Sequence, residues 1–486
     1  MENSLNKNKY TLPVFLLIVF GFFFVFFYCI HPIMVLDMDD WWYLYTPRYA
    51  LPLLGVWNPG KVLPEVLMPL VSMISGFILY PVMGDFFGAI ALINAVVVSF
   101  FITWMIERLL RMLIEKNGLG IYSAILIVIF FLVSHFVIFR TYIDNNNYMF
   151  HAIDMDCYYN YVIPNLLSAI LIFWTKKDDM LDGFLEKSNV LSQVVFLITC
   201  YFVIFSNLFC SVIFVSYIIG DLVLKIIDKI KGKKFDFVLY VKDNYERLVI
   251  VFGWGVAHIF ELTGGRASME ETSLLQGITT SFLAIFKWPT KMNGTFIIVA
   301  VIIIAIFFVK SRNTKIFSVL FPGVICIVYL GLLSGKLNKY YDRTDAMYGA
   351  FFYLMLLLMC MLIEDIRKWS YAKLIFPLLI IIMITASMTG GRTFKESNVA
   401  GITPRQVQMI DEDILEQISN AVAEGNVEVT VDVPKFDTDD NWPLVSSLSQ
   451  RISDCFYKYS VIDKKIEIVG FNISEEKNSE FGIGVE

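Results

Sequence analysis

The sequence predicts an α-helical polytopic membrane protein with about eleven transmembrane helices and a small C-terminal α/β domain. Three observations lead there. Hydrophobic residues make up 57% of the chain and its mean hydropathy is +0.65, beyond the range of ordinary soluble domains. Apolar runs recur from residue 11 to residue 388, several with the roughly 20 residues that a hydrocarbon core demands. The charge is also uneven. Residues 389–486 carry 18 acids against 9 bases, while the whole chain has a net charge of −6, so the remainder sums to +3. The chain therefore divides into a transmembrane part, 1–388, and an acidic polar part, 389–486.

Run 11–30 is too long for the apolar core of a signal peptide, and "HPIMVLDMDD" after it offers no small-residue cleavage site. It reads as a retained anchor. Further apolar runs lie near 66–83, 86–106, 121–139, 161–174, 190–226, 248–263, 294–309, 316–333, 349–363 and 374–388. Lys and Arg concentrate in "ERLLRMLIEK", "KKDDMLDGFLEK", "KIIDKIKGKK", "KSRNTK" and "EDIRKWSYAK". The positive-inside rule places all five in the cytoplasm. If 66–83 and 86–106 both crossed, the first basic segment would land outside, so 60–83 is expected to lie along the outer interface. Run 190–226 has basic flanks on both sides and must cross twice, turning at Asn207. "SLLQGITTSFLAIFKW" is apolar but interrupted and is also expected at the interface. This topology puts the N-terminus inside and the tail outside.

The tail alternates helix and strand patterns. "TPRQVQMIDEDILEQISNAVAEG" has helical spacing, with Thr403 as cap, Pro404 at the first helical position and Gly425 as stop. "VEVTVDV" and "KKIEIVGF" read as strands, with a second helix, "LVSSLSQRISDCFYKY", between them.

Seven cysteines and four histidines bound the metal and redox options. No Cys-x-x-Cys or zinc-like spacing occurs. Cys157 and Cys455 are the two cysteines placed outside, where a disulfide would form. No basic stripe marks a nucleic-acid surface. No cofactor is indicated, although His151, Asp154 and Asp156 are spaced so that a divalent metal is an option.

The outer face collects the chemistry. Asp37, Asp39 and Asp40 stand at the membrane edge, where charge is costly unless it serves something. Asp39 and Asp40 are adjacent, so their side chains diverge and cannot form a proton-sharing dyad. Trp41 and Trp42 read either as an interfacial belt or as a stacking platform for a sugar. Lys61 and Glu65 sit at i and i+4, as a surface pair or as part of the same site. Lys336, Lys339 and Arg343 have i, i+3, i+7 spacing, which predicts three cations on one helical face. Such a cluster suits a phosphate, a lipid headgroup or the acidic tail. Arg266, with His258 and Glu261 nearby, is a further substrate-binding candidate. A carboxylate facing cations across a lipid-accessible cleft suits sugar transfer from a polyprenyl phosphate. That reaction needs a base for the acceptor hydroxyl and cations for the departing phosphate, and no general acid. Inversion at the anomeric carbon follows. A flippase for polyprenyl-linked sugars and an O-antigen polymerase or ligase are the competing readings.

An acid pair after the first span, interfacial helices in a long outer loop, many spans and an outer tail together resemble the polytopic C-type (GT-C) glycosyltransferases. "DDWW" followed by "NPGKVLPEVL" resembles the serotype-converting O-antigen glucosyltransferases of enteric bacteria and their phages. Lys61 stands where that pattern has Arg. The resemblance implies glucose transfer from undecaprenyl phosphate-glucose to lipid-linked O-antigen, a lipopolysaccharide modification at the periplasmic face of the bacterial inner membrane. It also implies two companions, a flippase and a donor-synthesising enzyme. Asp39 and Asp40 match the acid pair of that family, with Asp39 favoured as the base.

Overall fold

A computed structural model describes residues 10–46, 62–139, 147–152, 154–183, 189–232, 235–262, 274–313, 316–336, 340–388 and 401–484, without the side chains of 64, 261–262, 274, 336 and 386–388. Helix α1 (Thr11–Val25) runs into a wider π turn, Phe26–Ile30. The short α2 (Met38–Tyr45) and α3 (Val62–Ile74) follow, and α3 continues through wider turns to Met83. Next come α4 (Phe86–Arg111), α5 (Ile121–Val137), α6 (Ile163–Asp178) and α7 (Val190–Ile204). They are followed by α8 (Leu208–Lys231), α9 (Tyr245–Leu262), α10 (Leu274–Lys291) and α11 (Gly294–Lys310). The bundle closes with α12 (Phe317–Lys336), α13 (Tyr348–Lys368) and α14 (Ala372–Met388). Among the described residues, seven helical stretches are long and apolar enough to cross a membrane, and four shorter helices are also apolar. The protein is a helical membrane protein.

The stretch Met155–Asp178, which includes α6, is the central pillar, with its most apolar window wholly buried although its mean hydropathy is only 1.2. The sequence suggests a short span at 161–174. The helix is longer because its polar side chains face protein rather than lipid. Ser168 donates to the Cys210 carbonyl (3.0 Å) of α8, and the buried Tyr159 hydroxyl donates to Asn94 (2.7 Å) of α4.

The two ends of the bundle differ in charge. Arg108 and Arg111 close α4, Lys176 and Lys177 close α6, and Arg367 and Lys368 close α13. This basic end is knitted by ion pairs from Lys116 to Asp179 (2.5 Å) and from Lys177 to Glu115 (2.9 Å). Arg247 joins Asp182 (3.0 Å) and Asp221 (2.7 Å) there. The segments that carry Asp154 and Arg343 precede α6 and α13 at the other end, and the Met34–Asp154 bridge brings the loop of Asp37 beside them.

Residues 62–83 form one continuous helical stretch of spanning length, yet its contacts keep it at the acidic end. The Val62 amide donates to Phe205 (3.0 Å), in the turn between α7 and α8. Further along, Gly76 lies directly under the ring of Tyr459 from the tail, where no β-carbon would fit. The stretch ends beside Phe86, which also touches the tail at Phe456. Helix α10 likewise crosses the acidic end. Gly277 meets the backbone of Gly335 at the end of α12, and Lys291 pairs with Asp342 (3.1 Å).

In the tail, α15 (Pro404–Ala423) leads to β1 (Glu428–Pro434), α16 (Ser449–Lys458), β2 (Glu467–Ser474) and α17 (Glu475–Phe481). Thr403 and Gln406 form a capping box at the start of α15. The strands pair in parallel, Glu428 opposite Glu467, with one irregularity at Val429/Thr430. Cys157 and Cys455 are both buried free thiols, so no disulfide joins them. Cys455 belongs to the tail core, while Cys157 faces Arg343.

Candidate active site

The site begins with a helix cap. Asp37 is extended, and one of its oxygens accepts the amides of Asp39 (2.9 Å) and Asp40 (3.3 Å). Asp40 returns the favour as the third helical residue, completing a capping box. "DMDD" therefore starts α2 by satisfying its own orphan amides.

Asp40 has no exposed surface. Its Oδ2 accepts the Leu36 amide (2.7 Å) and its Oδ1 the Asp156 amide (2.6 Å). It therefore ties the first outer loop to the start of the central pillar. A bridge between Met34 and Asp154, and the His31 Nε2 contact to the Ala152 carbonyl (2.9 Å), run the two segments side by side. Burial, then Asp37, Asp154 and Asp156, push the Asp40 carboxyl up, against the pull of the Leu36 amide.

Asp154 caps the helix that begins at Met155 by accepting the Cys157 amide (2.5 Å). Burial is also the first cause of its raised pKa, with the Arg343 charge opposing. Asp154 thus lies within electrostatic reach of Asp37 on one side and Arg343 on the other.

Arg343 comes from the turn between α12 and α13. Its guanidinium grips Asp345 through Nε (3.1 Å) and Nη2 (2.6 Å). Nη2 also reaches the Cys157 sulfur (3.7 Å), and the group stacks over Tyr161 (4.8 Å) and Tyr340 (5.4 Å). The bidentate grip fixes its plane. Nη1 has no hydrogen-bond partner among the described residues.

Asp37 is less enclosed than Asp40. It is half-buried, and its Oδ2 has no hydrogen-bond partner among the described residues. Burial, then Asp154 and Asp39, raise its pKa from 3.8 to about 7. A base poised near neutral pH is what hydroxyl activation asks for.

Several expectations change. Asp39 is half-buried, as Asp37 is, and Asp40 is taken up by backbone amides. Trp41 is fully buried, edge-on to Phe87 and Phe456, so it has no open face for a sugar. Trp42 has Arg451 of the tail over its ring at 4.0 Å. Lys336 and Arg343 share no helical face, because α12 stops at Lys336 and Tyr340–Asp342 forms a tighter turn. Lys61, Arg266 and Lys339 lie outside the described residues, as does the side chain of Lys336. Glu65 is buried at the start of α3. His151 turns its Nε2 to the Phe136 carbonyl (3.2 Å), away from Asp154 and Asp156. Among the described residues no His, Cys, Asp and Glu group converges as metal ligands. His258 packs on Trp254 and Tyr329, and Asn207 caps α8 at the expected turn.

Asp345 is the residue that sequence reasoning passed over. Its signal was local, an acid two positions after Arg343. Asp37 was also legible, since an acid three positions before another at a helix start is a capping pattern. No protein family, characterised protein or solved structure matches this chain.

Proposed function

We propose that the protein is an inverting membrane glycosyltransferase. It takes a sugar, glucose by resemblance, from a polyprenyl phosphate and transfers it to a lipid-linked O-antigen acceptor. In this reading eleven helices cross the bacterial inner membrane, α3 and α10 lie at the outer interface, and the acid cluster and the tail face the periplasm. The acceptor hydroxyl gives its proton to Asp37 as its oxygen attacks the anomeric carbon. The bond from that carbon to the phosphate oxygen breaks, and the polyprenyl phosphate leaves with the electron pair. Arg343, held in plane by Asp345, steadies the phosphate through Nη1. Asp39 lies at the rim of the site, and Asp40 fixes the loop to the central pillar.

The observation that carries this reading is the junction of three distant segments. Asp154 lies within electrostatic reach of Asp37 on one side and of Arg343 on the other, and burial with Asp154 raises the Asp37 pKa to about 7. The test is transfer of labelled sugar by the purified protein in lipid nanodiscs, with polyprenyl-phosphate glucose and a lipid-linked O-antigen acceptor. Labelled product that depends on both substrates supports it. No product from any polyprenyl-phosphate hexose, with the protein folded, ends it.

A further inference from the structure

At the basic end, opposite the acid cluster, a cavity of about 300 Å³ opens between the ends of α4, α6, α8 and α13. Three cations line it, Lys116, Lys176 and Arg367, above an apolar floor that includes Leu113, Met359 and Cys360. Two of the cations are already neutralised. Lys116 pairs with Asp179 (2.5 Å), and Arg367 pairs with Glu364 (2.8 Å) and donates to the Asn117 carbonyl. Lys176 is half-buried and has no carboxylate partner among the described residues, and its ammonium sits 5.3 Å from the Tyr217 ring centre. Among the described residues the cavity therefore offers one positive charge without a carboxylate partner, at the level where the membrane helices gain their Lys and Arg ends.

We infer that this cavity binds one anionic phospholipid of the surrounding bilayer, with its phosphodiester on Lys176. One unpaired cation balances one monoanionic phosphodiester. A phosphate monoester, with up to two charges, would leave an excess negative charge beside Glu364 and Asp179. Basic pockets between membrane helices recognise anionic headgroups by the same physics.

The experiment titrates the purified full chain in neutral detergent and reads its thermal midpoint. The probes are phosphatidylglycerol, phosphatidylcholine and inorganic phosphate, each added separately. Phosphatidylglycerol is expected to raise the midpoint saturably, and the other two to leave it unchanged. Lys176→Gln should weaken the phosphatidylglycerol response about tenfold in apparent affinity, the loss of one charge-assisted contact. Lys176→Arg should retain it. Lys310→Gln, an exposed cation outside the cavity, should also retain it. Equal responses in wild type and Lys176→Gln overturn the inference. So does a matching response to phosphatidylcholine, which would make the effect generic to acyl chains. A response to inorganic phosphate alone makes this a free-anion site and equally overturns it. If Lys176→Gln does not fold, the wild-type lipid comparison and the Lys310→Gln response still decide the matter.

Discussion

The two ends of this bundle use charge in opposite ways. At the basic end cations and carboxylates meet nearly one to one, as Lys116 with Asp179, Lys177 with Glu115 and Arg247 with Asp182 and Asp221 show. At the acidic end Asp37, Asp154 and Asp156 crowd the buried Asp40, while Arg343 pairs with Asp345 and Lys291 with Asp342. Paired charges near a surface contribute little and shift little. Like charges held together without water push one another's pKa apart, and such arrangements concentrate where chemistry is done. The contrast, more than any single residue, supports the proposal that the acidic end carries the chemistry.

The contrast yields four measurements, taken here from the largest expected effect to the smallest. Asp37→Asn should lower transfer by about 10²–10⁴-fold, the usual worth of a general base. In wild type, kcat/KM should fall as pH drops below about 7, because the base must be deprotonated. The variant should lose that limb of the profile, and Asp39→Asn should keep it. An Asp37→Asn enzyme with wild-type rate and pH profile would move the base elsewhere.

Next comes the tail. Tyr459 is buried against Gly76 and Phe86, and its hydroxyl donates to the Leu44 carbonyl at the end of α2. Tyr459→Ala should cost about 3–5 kcal/mol of stability, as for other buried aromatics. It should also slow transfer by loosening the helix whose cap is Asp37. A lowered melting temperature with unchanged kcat would separate the tail from the site.

Arg343→Ala should reduce kcat/KM for the polyprenyl-phosphate donor by about 10–100-fold, the range of a charged hydrogen bond. Arg343→Lys should not restore it, since the bidentate grip on Asp345 needs the guanidinium plane. Restoration by Lys would reduce Arg343 to a point charge. Lys116→Ala, at the paired end, should change stability by about 1 kcal/mol or less and leave transfer unchanged. A large effect on transfer there would remove the asymmetry on which the reading of the two ends depends.

Much of the architecture was legible along the chain. Hydropathy and the placement of Lys and Arg located the helices and the turn at Asn207, and strand alternation located β1 and β2. The cap of α15 was legible as well, because Thr403 and Pro404 act on their immediate neighbours. The site was harder to read. "DMDD" advertised its acids, but adjacent carboxylates look alike until their partners are known. Asp40 is a structural tie only because Asp156, 116 positions away, points an amide at it. Trp41 read either as an interfacial belt residue or as a sugar platform until Phe456 of the tail closed on it.

By itself, then, the sequence determined what depends on near neighbours and on the solvent. Apolar runs must leave water, basic loops mark one side of the membrane, and caps and turns are satisfied within a few residues. Tertiary structure alone decided what depends on burial and on distant charge. It buried Asp40 against the Asp156 amide while leaving Asp37 half-exposed, gave Arg343 its fixed plane through Asp345, kept residues 62–83 at one end, and left Lys176 without a carboxylate partner among the described residues. The physical reason is one of range. Helix periodicity and capping are set within a turn or two, whereas desolvation and Coulomb interaction depend on what the fold brings within a few ångströms from any point in the chain.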